Sequence, residues 1–138
     1  MKIIQDNKYT YAKYIPSNEV FKEGLTFFSD TSEFIQIGSW NYNNGKQLKA
    51  HKHNSFDRLT NITQEAIFVY KGLLNASIYD SENNFIEKIQ LSSGDLLVVL
   101  MGGHGYEILQ DNTLVLEFKN GPYFGPDKDR VRLNNEQK

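Results

Sequence analysis

The chain has 138 residues, 39% of them apolar and 23% charged, with nine Phe, eight Tyr and one Trp. A chain of this length buries roughly two thirds of the surface its unfolded form exposes. It therefore needs neither disulfide nor structural metal merely to fold, and its aromatic content sets it apart from disordered sequences. Fifteen basic and 17 acidic residues give a formal net charge of −2, which recommends neither nucleic acid nor an anionic membrane as partner. The absence of cysteine removes disulfides, thiolate metal sites and cysteine nucleophiles together.

The N-terminal stretch MKIIQDNKYTYAKYI lacks the apolar core of a signal peptide, and the longest apolar run, Leu96 to Met101, is far too short to span a bilayer. The expectation is a complete, soluble, cytoplasmic protein of one domain over residues 1–138. Residues 1–33 read as N-terminal strands and an edge extension, with a short helical turn near Ser17–Gly24. Phe34 to Trp40 begins with two apolar residues and then alternates. Ala66 to Tyr70 and Leu96 to Leu100 are continuous apolar or aromatic runs, whereas Leu74, Ala76 and Ile78 alternate with polar neighbours. Tyr106–Leu109 and Leu114–Phe118 are further strand candidates, with Asp80–Asn84, Ser92–Asp95 and Gln110–Thr113 as turns between strands. The stretch from 127 to 138 is a polar tail. About nine or ten short strands without a sustained helical stripe predict an all-β barrel or sandwich.

The three histidines are His51, His53 and His104. If Ala50–His53 is extended, His51 and His53 point to one face. His104 lies in Gly102-Gly103-His104-Gly105 after an apolar strand, and Glu65 opens another, where an inward carboxylate needs a partner. Three imidazoles and one carboxylate suit a divalent ion such as Mn, Fe, Ni or Zn. Asp57 is the competing carboxylate, being nearer to His53 in the chain.

Gly45-Lys46-Gln47-Leu48-Lys49-Ala50-His51-Lys52-His53, the Glu65–Gly72 stretch and Gly94 to His104 together resemble the two motifs of a small cupin. Two departures stand out: eleven residues separate His53 from Glu65, and Leu100 occupies the usual proline position. The segments His51-Lys52-His53-Asn54 with Arg58, Thr63-Gln64-Glu65, Gly102-Gly103-His104-Gly105, Gly121-Pro122-Tyr123 and Asp127-Lys128 are similar to cupins associated with sugar and surface-polysaccharide biosynthesis. The resemblance, over residues 34 to 133, implies a double-stranded β-helix (jelly-roll barrel) holding a divalent metal on His51, His53, Glu65 and His104. It also implies a carbohydrate-related small molecule as partner and a sugar isomerase or epimerase activity.

In that scheme Glu107 is the candidate catalytic base, Arg58 a ligand contact with a fork suited to carboxylate or phosphate, and Tyr70, Tyr106 and Tyr123 the lining of a sugar pocket. An iron-dependent dioxygenase and a non-catalytic sugar-binding or regulatory cupin are the alternatives. The resemblance further implies a homodimer joined at sheet edges, with Met1 to Tyr14 as the candidate edge.

Overall fold

The computed structural model describes residues 1–133, and residues 134–138 of the expected polar tail lie outside the described residues. Ten strands and two one-turn helices follow one another. They are β1 (Lys2–Gln5), β2 (Thr10–Ile15), α1 (Ser17–Val20), β3 (Gly24–Phe27), β4 (Gly38–Asn41), β5 (Glu65–Lys71), β6 (Leu73–Tyr79), β7 (Phe85–Ser92), β8 (Leu96–Val99), β9 (Gly103–Ile108), β10 (Leu114–Lys119) and α2 (Pro126–Asp129). They form a five-stranded sheet of order β1-β2-β8-β5-β10, a three-stranded sheet of order β7-β6-β9 and the hairpin β3-β4, with every strand pair antiparallel.

The inner faces of the two larger sheets share one core. Ala12, Ile67, Val69, Leu97 and Val99 of the large sheet pack with Leu74, Ala76, Ile78, Ile89 and Leu91 of the small one. On β6 every second residue is buried, as the period of a half-buried strand requires. The central strands β5 and β8 read differently because both of their faces are covered. A second core sets Ala66, Leu96, Val98 and Leu100 against Ile15, Val20, Phe28 and Ile35 on the outer side. Burial on both faces accounts for the continuous apolar runs in these two strands.

Local chemistry pins the segments that cover this outer side. Buried Asp95, in the turn before β8, accepts hydrogen bonds from the Ser17 and Ser92 backbone N–H groups at 2.7 and 2.9 Å. It also accepts one from the Tyr14 hydroxyl at 3.1 Å, so a single carboxylate ties α1 and β2 to the β7–β8 turn. Buried Lys13 donates to the Phe28 carbonyl at 3.3 Å and pairs with Asp30 and Glu33 at 2.9 and 2.6 Å, holding the 28–33 stretch on the sheet. Burial pulls the Lys13 ammonium down, but the two carboxylates outweigh it and hold it above the ordinary lysine value. Gly72, which turns the chain from β5 into β6, has φ +104° and faces Thr113 so closely that a side chain has no room.

Two expectations are corrected here. The first is the double-stranded β-helix: the sheets are open and do not close into a barrel, because among the described residues β10 pairs only with β5 and β9 only with β6. The second is the extended segment around His51 and His53. Residues 42–63 contain no strand and are exposed throughout. The stretch from Gly45 to Ser55 carries only Leu48 and Ala50 as apolar residues, so it has no apolar face to bury and nothing to hold it as a strand. Over Phe34–Trp40, the strand starts only at Gly38. Ile35 is held instead by its N–H donating to the Gln64 side chain at 2.9 Å, and Ile37 by its N–H donating to Ser29 Oγ at 2.8 Å. No helix among the described residues is long and apolar enough to cross a membrane.

Candidate functional site

The strand period decides which polar side chains enter the space between the sheets. Ile67 and Val69 of β5 lie in the inner core, so Glu65, two residues earlier, shares their face. On β9, His104 is in register with Ile78 and Tyr106 with Ala76, and both β6 partners are inner-core residues. Directly opposed residues of a ladder share a face, so His104 and Tyr106 point toward the large sheet. Glu65 and this pair meet across the gap. The Tyr106 hydroxyl donates to Glu65 Oε1 at 3.1 Å, and His104 Nε2 lies 3.3 Å from the same oxygen. The two rings are tilted by 42° with centroids 5.3 Å apart.

Burial differs across the cluster. Glu65 is only 8% exposed, whereas the His104 side chain keeps 31% of its surface. Burial pushes the Glu65 carboxyl up, but His104 and the Tyr106 hydroxyl beside it prevail, and the group titrates below the ordinary glutamate range. The Tyr106 hydroxyl is pushed far up, by burial first and by the Glu65 charge second. At neutral pH Tyr106, like any phenol, keeps its proton, and it donates it to Glu65. Among the described residues, His104 Nδ1 takes part in no hydrogen bond. A buried carboxylate thus orients one side of an imidazole whose other nitrogen is free, an arrangement suited to proton transfer.

The cluster sits on the open side of the sandwich, between the edge strands β9 and β10. Lys119 is in register with Glu65, and Glu117 with Ile67, so the inner face of β10 borders the cluster. Lys119 pairs with Glu117 at 2.9 Å and lies 5.4 Å from the centre of the Tyr123 ring. Lys119 did not stand out in the sequence. Its signal is parity: in Leu114–Lys119 it falls two places after Glu117 on the face opposite Leu116 and Phe118.

The other predicted site residues are dispersed. The His51 and His53 rings meet edge-to-face, with centroids 5.2 Å apart, and His51 Nδ1 lies 3.1 Å from the Lys49 carbonyl in the exposed segment. Arg58 packs on the Phe56 ring, 3.9 Å from its centre. Asp57 belongs to the same exposed stretch. Tyr70 is left unpaired at a bulge of β5 opposite Leu114 and Val115, and is 67% exposed. Glu107 points to the outer face of the small sheet, where it accepts from Asn75 Nδ2 at 3.1 Å and lies 3.9 Å from Lys88 Nζ.

The metal expectation is therefore corrected. His51, His53, Glu65 and His104 form two separate pairs, and the described residues contain no group of three or more His, Asp or Glu side chains able to hold an ion. The donor set does not fit Mn, Fe, Ni or Zn, which removes the ground for a metal-dependent isomerase or epimerase and for an iron dioxygenase. No family model matches the chain, and neither does any curated protein or solved structure. The cupin resemblance accordingly rests on short motifs alone. The open sheets contradict it, and the sugar-binding cupin alternative falls with it.

Proposed function

We propose that the open side of the sandwich binds a small polar organic molecule and that His104 exchanges a proton with it without a metal ion. In this reading His104 Nδ1 is the group that meets the ligand. Glu65 positions the ring, and Tyr106 keeps the Glu65 carboxylate in place. A hydroxyl-rich molecule is the partner such a site suits, since hydroxyls both donate to and accept from an imidazole.

The observation that supports this reading is the carboxylate–imidazole contact itself: Glu65 Oε1 lies 3.3 Å from His104 Nε2, with the carboxylate buried and the imidazole reachable. Surface ion pairs are commonplace, but a buried carboxylate aimed at a partly exposed imidazole is a recurrent arrangement of functional sites. The test is an NMR titration of the imidazole resonances with a panel of free sugars and sugar phosphates, with a chelator present throughout. At least one compound is expected to shift His104 and leave His51 and His53 unmoved, and Glu65→Gln is expected to weaken that binding. Binding that shifts only His51 and His53, or that is unchanged in Glu65→Gln, overturns the reading.

A further inference from the structure

We infer that the free edge of β10 is a self-association surface, on which a second copy of this chain pairs antiparallel about a two-fold axis at Leu116. Every residue of β10 is exposed, although four of the six are apolar. Its inner-sheet neighbour β5 takes up one edge, and the other has no strand beside it among the described residues. Edge strands are usually protected by proline, charge, bulges or shortness. The opposite edge of the same sheet shows such protection: β1 carries Lys2, which pairs with Glu87 of β7. On β10 there is no proline, its two charges, Glu117 and Lys119, pair with each other on the inner face, and the irregularity in its ladder falls on β5 at Tyr70.

The second copy is favoured over other occupants by self-complementarity. A two-fold axis perpendicular to the sheet keeps each residue on its own face, so only axes through a residue extend the sheet. An axis at Glu117 sets that carboxylate against its own copy, which is unfavourable. An axis at Phe118 opposes Glu117 and Lys119 but runs off the strand at Asn120 and Gly121. An axis at Val115 runs off the strand at Thr113, whereas an axis at Leu116 uses the strand from Leu114 to Phe118, placing Leu116 on Leu116, Leu114 on Phe118 and Val115 on Glu117. Leu116 and Phe118 are 53% and 50% exposed, and both lie on the outer face. That face is already apolar inward of the edge: Leu116 is in register with Phe68, whose ring meets Phe21 edge-on at 6.1 Å. Pairing at Leu116 therefore makes one continuous apolar strip across two molecules. One strand and its flanking strip sit at the small end of specific interfaces, below about 1,200 Å² in total. An interface of that size fits a reversible dimer. The inner face of each copy's β10 also borders the Glu65–His104–Tyr106 cluster, so the second molecule would line the mouth of that site.

The absence of native cysteine allows a direct test with the full chain. Opposed residues of an antiparallel pair have Cα atoms about 4.5–5.5 Å apart, within the roughly 4.4–6.8 Å that a disulfide spans. Under mild oxidation Leu116→Cys is expected to form a covalent dimer much faster than Glu117→Cys or Phe118→Cys. Sedimentation of the wild type is expected to show a reversible monomer–dimer equilibrium, weakened at least about tenfold by Leu116→Lys, which sets like charges on the axis. Leu116 is half exposed in the single chain, and Leu116→Thr with unchanged circular dichroism serves as the control for folding. A wild type that stays monomeric up to near-millimolar concentration overturns the proposal. So does a dimer indifferent to Leu116→Lys and Leu116→Thr, faster cross-linking at position 117 or 118, or a monomer whose β10 amides are protected by its own 42–63 segment.

Discussion

Replacing Glu65 by Gln keeps the shape of the side chain and an oxygen for the Tyr106 hydroxyl, but removes the charge beside His104. The buried carboxylate has two partners, at 3.1 and 3.3 Å. Hydrogen bonds to charged groups contribute about 1.5–3 kcal/mol and neutral ones about 0.5–1.5 kcal/mol. The lower desolvation cost of an amide offsets part of the difference. The expected loss at neutral pH is thus about 1–2 kcal/mol, or roughly 3–8 °C in Tm for a chain of this size. The pH dependence carries the sharper test. Glu65 titrates below the ordinary glutamate value in the folded state, and that ordinary value is about 4.3. Its contribution is therefore complete above the ordinary value and is lost as pH falls through the lower, folded one. Urea denaturation of wild type and variant is expected to show the full gap at about pH 7 and a closing gap at about pH 3. A gap of equal size at both pH values, or none at neutral pH, refutes the assignment of Glu65 as an ionised partner of His104.

Asp95→Ala removes the acceptor for the backbone N–H groups of Ser17 and Ser92 and for the Tyr14 hydroxyl. It is expected to cost about 3 kcal/mol, with hydrogen exchange of the Ser17 and Ser92 amides accelerating beyond the global effect. Lys13→Met leaves Asp30 and Glu33 without their cation, and a loss of about 1–3 kcal/mol is expected in chemical denaturation, tempered because Asp30 is largely exposed. Since the folded-state value of Lys13 is raised, the wild-type advantage should be full below the ordinary lysine value of about 10.4 and fade only as pH rises through the higher folded one. The double replacement of His51 and His53 by Ala removes exposed side chains that bury nothing. Thermal melts should move by no more than about 0.5 kcal/mol in stability, and a large destabilisation would show that these rings are engaged elsewhere.

Much of the β content was legible in the chain because each core strand carries its own signal. Leu74, Ala76 and Ile78 alternate on β6, while the unbroken runs in β5 and β8 mark strands covered on both sides. The turn at Ser92–Asp95 was equally plain, although the chain does not reveal that Asp95 reaches across to Ser17 and Tyr14. For the site, Glu65 and His104 were both selected, and they do meet, as an acid–imidazole pair and not as metal donors. The His51–His53 reading failed at a single step. Alternation places two residues on one face only if the segment is a strand, and a strand exists only where a neighbour completes its ladder.

The sequence by itself determined what each strand can bury, since the face a side chain takes follows from a two-residue period that is local to the chain. It also determined the absence of thiol chemistry and the near-neutral charge. Tertiary structure alone decided which faces meet and which edges stay open. Glu65 and Tyr106 are 41 residues apart, and they touch because β5 and β9 belong to different sheets packed on a common core. The exposed apolar edge of β10 is likewise a property of sheet order. Leu114 to Phe118 reads as an ordinary core strand, yet it lies at the end of the sheet order, with no further strand beside it among the described residues.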